Sequence, residues 1–243
     1  MRSALASLVL LLALLAPGAG AADEPAPAEA PPPSTTEVKG SVPDLTGRWF
    51  VVAQLSIPKS DKPVALVSSF WDVTAAEGKT TLTVRFVHPP QQIADALAAA
   101  NKDKRGWEPT VQDLQLIRDG WSTLAPEDRG VANVEVAITG KDAFTDTITS
   151  DEQMKDARFL IQMTMNFNPG GQRPMKDVML YGATEETPDG WKGNYASATV
   201  AAAPFPIPIA FGGTFRMYRL DAVPQPGFLE RIMRVFSGCG RKS

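Results

Sequence analysis

Apolar and polar residues alternate with a period of two in at least four stretches of this chain of 243 residues. These stretches are residues 47–57, 80–88, 131–139 and 158–167. In the last of them Met163 and Met165 flank Thr164, and the alternation continues in both directions. Successive side chains of a β-strand point to opposite faces, so a strand with one buried face shows this pattern. The chain is therefore predicted to be mainly β.

Residues that favour turns, such as Glu77-Gly78 and Asp189-Gly190, separate the alternating stretches. They divide the chain into eight or nine predicted strands, at about 47–57, 65–75, 80–88, 131–139, 143–149, 158–167, 176–184, 191–201 and 211–220. Short connections favour antiparallel pairing of consecutive strands. An open sheet of this size leaves two unpaired edges, which closure into a barrel removes. We therefore predict an antiparallel up-and-down β-barrel, with a β-sandwich as the alternative.

Residues 89–129 break the β pattern and form a predicted two-helix insert. Residues 91–101 are rich in Ala and Leu, and residues 110–124 place Leu and Ile on one helical face. Thr110 followed by Asp113 is typical of a helix N-terminus. The two helices could cap one mouth of the barrel or pack on its outside, and the sequence leaves both arrangements open.

The remaining segments give the expected organisation of the chain. Residues 1–22 combine Arg2, a short apolar run and small residues for cleavage, which is typical of a secretory signal peptide. Residues 23–43 are rich in Pro and Ala and are predicted to form a disordered tether. The barrel domain is expected at 44–222, and an amphipathic basic helix and tail at 223–243. The mature protein is expected outside the cytoplasm, in the periplasm or secreted.

The C-terminal tail suggests two kinds of contact. Its apolar residues lie beside Arg231 and Arg234, so residues 224–243 could bind a membrane surface or a protein partner, or could dock on the barrel wall. Cys239 is the single cysteine of the chain. In an oxidising compartment it could link two chains into a disulfide-bonded dimer.

Composition and motifs exclude several functional classes. One cysteine and one histidine cannot build a disulfide framework within the chain or a multi-histidine metal centre. The net charge of −3 gives no sign of nucleic-acid binding. No nucleophile elbow or phosphate-binding glycine loop is present. We therefore predict no cofactor, no metal and no catalytic residue; an enzyme with an unrecognised site around His88 is the third-ranked hypothesis.

The first and last predicted strands carry a paired signature. Gly47-Arg48-Trp49 opens the first strand, and Arg219 closes the last, with Arg216 as the second candidate for the same role. This combination resembles the lipocalins and the wider calycin superfamily. The resemblance implies that the arginine stacks on the indole of Trp49 and closes the bottom of the barrel, with Gly47 beside it.

The interior of the predicted barrel is rich in Met and Phe. The inward-facing candidates, taken as the lining of a ligand site, are Phe86, Phe159, Ile161, Met163, Met165, Phe167, Tyr195, Phe215 and Met217. Alternation does not separate a lined cavity from a solid core. We predict a lipocalin-like protein that binds a small hydrophobic, lipid-like molecule. The alternative is an envelope-associated structural or interaction protein that contacts a partner or membrane through the helical insert and the tail.

Overall fold

A computed structural model describes residues 35–57, 62–127, 131–167, 175–201 and 208–223. All of them belong to one structural unit of the chain. The predicted signal peptide, most of the predicted tether, the predicted C-terminal helix and Cys239 lie outside the described residues.

Nine strands form one sheet in the described part of the chain. They are β1 (Thr35–Lys39), β2 (Gly47–Ser56), β3 (Pro63–Ala76), β4 (Lys79–Arg85), β5 (Val131–Gly140), β6 (Phe159–Phe167), β7 (Met175–Thr187), β8 (Gly190–Ala201) and β9 (Pro208–Arg219). Their order in the sheet is β1-β5-β6-β7-β8-β9-β2-β3-β4. The first and last strands of this order approach each other, so the sheet curls into a nearly closed barrel.

Strand pairing is mixed, which corrects the prediction of a purely antiparallel barrel. All pairs among strands β2 to β9 are antiparallel, whereas β1 pairs parallel with β5. In a ring whose neighbours are all antiparallel the strand direction alternates, so the number of strands must be even. A ring of nine strands therefore needs one parallel pair, and β1 provides it.

Strand β1 occupies the gap between β4 and β5, where the predicted helical insert interrupts the meander. Thr36 lies beside Val136 of β5. On its other side, the Thr36 hydroxyl oxygen accepts a hydrogen bond of 2.9 Å from the backbone N–H of Leu82 in β4. The sequence assigned this segment to the disordered tether of residues 23–43. Its five residues instead pair with β5 and contact β4, so the ring is nearly closed.

The two predicted helices are present, as α1 (Gln91–Asp103) and α2 (Val111–Gly120). Thr110 and Asp113 form a capping box, in which each side chain accepts a hydrogen bond from the other residue's backbone N–H. The helix ends at Gly120 and a 3₁₀ turn follows, so it is shorter than predicted. No helix in the described ranges is long and apolar enough to cross a membrane.

The helices pack against the outer wall of the barrel, which settles the choice left open by the sequence. Ile93 of α1 and Ile117 of α2 are fully buried with Phe50 and Phe70, which face outward from β2 and β3. Trp121 contacts the ring of Phe70 edge-on at 5.4 Å between centroids. Strands β2 and β3 are therefore apolar on both faces, one towards the interior and one towards the helices.

The predicted strand at 143–149 is wrong. Lys141–Ala143 forms a 3₁₀ turn and Asp146–Thr149 forms a short helix, α3. Phe144 and Ile148 are four residues apart, which fits one helical turn as well as it fits a strand. Both pack against Met154 on the outer face of the barrel.

Aromatic side chains fill the central interior of the barrel. The ring of Tyr181 contacts Trp71, Tyr195 and Phe215 at centroid distances of 5.0, 5.1 and 5.3 Å, all in edge-on geometry. Each such contact contributes about 1 kcal/mol beyond its buried area. This part of the interior is a packed core.

Gly213 is a position where the barrel tolerates no side chain. Its φ is +148°, and an added Cβ would overlap the carbonyl oxygen of Gln54 on the neighbouring strand. We expect Gly213→Ala to lower the free energy of unfolding, measured in urea, by about 3 kcal/mol. The control is Gly120→Ala, because nothing lies within 4 Å of an added Cβ there. A change within about 0.5 kcal/mol is expected for that control; equal effects of the two substitutions would contradict the close approach of β2 and β9.

Candidate binding site

The two ends of the barrel differ in how they are closed. The strand directions place the start of β2 and the end of β9 at one end, here called the lower end. The end of β2 and the start of β9 lie at the opposite, upper end. The burial of interior side chains changes from one end to the other.

The lower end is sealed around Trp49. Trp49 pairs with Arg219 across β2 and β9, and the Arg219 guanidinium carbon lies 4.7 Å from the indole centroid. The indole N–H donates to the Leu45 carbonyl oxygen at 2.7 Å, and Arg219 donates to the Asp44 carbonyl oxygen at 2.6 Å. These bonds hold the segment before β2 across the barrel end, and Trp49 is only 1% exposed.

A second set of contacts fixes the same end from outside. Arg48 donates to Asp221 from its backbone N–H at 2.8 Å and from its guanidinium at 2.8 and 2.6 Å. Burial acts to raise the pKa of the Asp221 carboxyl, but these hydrogen bonds and the Arg48 charge hold that pKa below its ordinary value. Gly47 has φ +127°, and an added Cβ would lie 2.9 Å from Asp221. A glycine therefore allows Asp221 to approach the start of β2.

Arg216, the second candidate for barrel closure, has a different position. It lies beside the Tyr218 ring, 5.2 Å from its centroid, and pairs with Glu108 at 2.9 Å. These contacts belong to a groove of about 170 Å³ between the barrel wall and the loop that joins α1 and α2. Arg219 alone of the two arginines covers Trp49.

A cleft of about 350 Å³ lies outside the sealed end. Trp49, Trp191 and Arg219 form part of its wall together with Asp44 and Asp189. Because the indole of Trp49 is buried beneath the guanidinium, this cleft is separated from the barrel interior. The cleft therefore lies on the outer surface of the lower end.

The upper end leaves apolar side chains of the interior face accessible. Val67 pairs with Ala53, which belongs to the interior core, yet Val67 is 37% exposed. Ile209, at the start of β9, is 43% exposed. Further half-buried side chains pack against the core at the same end: Leu55, Phe86, Val131 and Phe167. The upper end therefore exposes apolar side chains of the interior face above a packed core, and this set of side chains is called the mouth below.

A polar row crosses the interior face near this mouth. Met165, Asp177, Thr199 and Ile209 are consecutive cross-strand partners on β6 to β9, so their side chains share one face. The Thr199 hydroxyl donates to the Asp177 carboxylate at 3.2 Å. Burial raises the pKa of Asp177, and hydrogen bonds from Thr199 and from the Val178 backbone N–H oppose that rise. The row therefore places one carboxyl group, that of Asp177, in a mostly apolar wall.

The next residues towards the core add hydroxyl groups. On β8, Ser197 and Tyr195 are the next two inward-facing residues below Thr199, and Ser197 hydrogen-bonds to the Tyr195 hydroxyl. Burial is the main cause that raises the pKa of Tyr195 to about 12, and the nearby Asp177 charge adds to it. Trp71 donates its indole N–H to the Ser69 hydroxyl at 2.9 Å. The buried layer beneath the mouth therefore contains a few hydrogen-bonded polar groups among apolar side chains.

The predicted lining residues divide into two groups. Phe86 and Phe167 are half-buried at the mouth. The others are almost fully buried and belong to the packed core: Phe159, Ile161, Met163, Met165, Tyr195, Phe215 and Met217. Sequence reasoning missed Asp177 and Thr199. The available signal was the alternation along β7. Asp177 lies two residues before Met179 and four before Tyr181, which places all three side chains on the inward face.

His88 is not among the side chains that pack against the interior core. Its ring is exposed, and its Nδ1 lies 3.6 Å from a carboxylate oxygen of Glu127. In the ranges that the structure covers, no three His, Cys, Asp or Glu residues are grouped so that they could hold a metal ion.

The contact between Arg219 and Trp49 predicts unequal effects for the two arginines. Arg219→Ala removes a cation–π contact and a charged hydrogen bond, so we expect a loss of about 2 kcal/mol in the free energy of unfolding. Arg216→Ala removes mainly partly exposed ion pairs, for which about 0.5 kcal/mol is expected. Urea unfolding of both variants measures the difference. An equal or larger loss for Arg216→Ala would contradict the sealing role of Arg219.

Comparisons with known proteins give no family for the chain. No protein-family model matches it. A search of curated proteins and a search of solved structures also returned no match. The nearly closed barrel of nine strands is compatible with a calycin-like fold.

Proposed function

We propose that the protein is a calycin-like binding protein, acting outside the cytoplasm, that holds a small apolar or amphipathic molecule in the upper mouth of the barrel. The observation that carries the proposal is the exposure of Val67 and Ile209, which face inward at this end while Trp49 is sealed at the other. Exposed apolar surface on the interior face of a barrel is suited to a ligand.

The chemistry of the mouth supports a ligand of this class. Small-molecule sites are concave and mostly apolar, with a few polar groups that orient the ligand. Phe86 and Phe167 supply aromatic surface, and Val67 and Ile209 supply exposed aliphatic surface. Thr199 and Asp177 supply the polar groups.

The packed core limits how deep the ligand lies. Tyr181 and its three ring neighbours fill the centre of the barrel, so the site extends from the rim down to this layer. The ligand we propose is therefore short or only partly enclosed. It does not occupy the whole length of the barrel.

The alternative of an interaction protein has less support from the helical insert. The apolar residues of α1 and α2 face the barrel wall, among them Ile93, Leu97, Leu114 and Ile117. Val111, at 56%, is the one exposed large apolar side chain on either helix as described. The helices therefore present a mostly polar outer face.

The test is binding of a neutral apolar fluorophore, N-phenyl-1-naphthylamine, and its displacement by decanol. We expect saturable fluorescence enhancement with the wild-type protein. Val67→Arg places a charged group in the mouth at an already exposed position, so the fold is retained and affinity falls by about tenfold or more.

Val111→Arg is the matched control, since the same change is made at an exposed valine on the outer helix layer. Its affinity is expected to equal that of the wild type. No enhancement with the wild-type protein, or equal losses for the two variants, would reject binding in the upper mouth. Circular dichroism of each variant checks that the β structure is intact.

A further inference from the structure

We propose that the ligand is a cationic amphiphile, whose ammonium group pairs with the Asp177 carboxylate while its chain lies against Ile209 and Phe211. This inference rests on the proposed binding function and names the class of molecule that the mouth selects.

The first argument is the position of the charge. Cross-strand register places Asp177 on the interior face, between Met165 and Thr199. In the upper half of the barrel it is the only acidic or basic residue among the described inward-facing positions. A single carboxylate in an apolar wall sets the sign of the charge that a bound molecule can carry there.

The second argument is that the Asp177 carboxylate has more hydrogen-bond acceptor sites than its described donors fill. Its hydrogen bonds come from the Thr199 hydroxyl and the Val178 backbone N–H. An ionised carboxylate has about four acceptor sites. No basic side chain in the described ranges forms an ion pair with it, and the only interactions that lower its pKa are those two hydrogen bonds. A bound ammonium group would supply the missing positive charge.

The third argument is the surface around the charge. Met165 and Ile209 lie at the two ends of the row that contains Asp177, and Met179 and Phe211 lie in the next inward-facing positions. Met165 and Met179 are almost fully buried, whereas Ile209 is exposed and Phe211 is half-buried, so a flexible alkyl chain beside the ammonium group would contact Ile209 and Phe211. An inorganic cation gains nothing from them, and one carboxylate with a hydroxyl falls short of the oxygen ligands that Ca²⁺ or Mg²⁺ takes.

The experiment compares three competitors of equal chain length: decylamine, decanol and decanoate. They displace N-phenyl-1-naphthylamine from the full-length mature protein at neutral pH, below the concentrations at which they form micelles. We expect decylamine to bind about tenfold more tightly than decanol, and decanoate to bind most weakly. This order is measured on the wild-type protein and so does not depend on any variant folding.

The variant Asp177→Asn keeps the shape of the side chain and removes its charge. It is expected to bind the fluorophore and decanol as the wild type does, and to bind decylamine no better than decanol. Glu135→Gln is the control, because Glu135 is exposed on β5 and its loss changes the net charge equally. That variant is expected to retain the preference for the amine.

The outcomes separate the two proposals. If the three competitors displace the fluorophore equally, or if Asp177→Asn retains the preference for decylamine, the cationic class is rejected and binding in the mouth stands. If neither the fluorophore nor any competitor binds, both proposals are rejected. If Glu135→Gln abolishes the preference as well, the effect is one of net charge and the role of Asp177 is rejected.

Discussion

Closure of the strand ring is the constraint on which the rest of the structure depends. Strands β4 and β5 would be neighbours in a simple meander, but two helices and their loops connect them, and β1 lies in the gap. Edge strands expose unpaired backbone groups, which associate with other chains unless they are covered. The parallel pairing with β5 and the bond between Thr36 and Leu82 cover both edges at once. The interior core and the difference between the two ends require this closed shape.

The helices cover apolar side chains on the outer face of the barrel. Phe50, Phe70 and Tyr218 face outward from strands whose other face is already buried in the barrel, and they need an apolar cover. The helical insert supplies it with Ile93 and Ile117. The apolar faces of α1 and α2 lie on the wall and not over the interior. The insert is linked to the mouth through Asn101 of α1, whose side chain hydrogen-bonds to the backbone of Leu66, next to Val67.

The sequence predicted the parts of the fold that depend on local patterns. Alternation located the strands that build the wall, and Thr110 with Asp113 located the start of α2. The segment around Phe144 and Ile148 was misassigned because apolar residues four apart fit both periods. Strand β1 was missed because its partner in β5 lies far along the chain, and five residues beside a Pro-rich stretch carry little periodic signal. Asp177 was missed because alternation assigns polar residues to the solvent, whereas this one faces inward.

The position of β1 also bears on the order in which the chain folds. Every other strand of the sheet has a partner that is close in sequence or part of the meander, whereas Thr35 meets Glu135 across the helical insert. Long-range contacts of this kind form only after their loop-closure entropy is offset by other structure. Strand β1 is therefore expected to be the last strand of the described sheet to dock. Until it does, β4 and β5 have unpaired edges that can associate with other chains. The docking of β1 therefore determines how long these edges stay exposed to aggregation during folding.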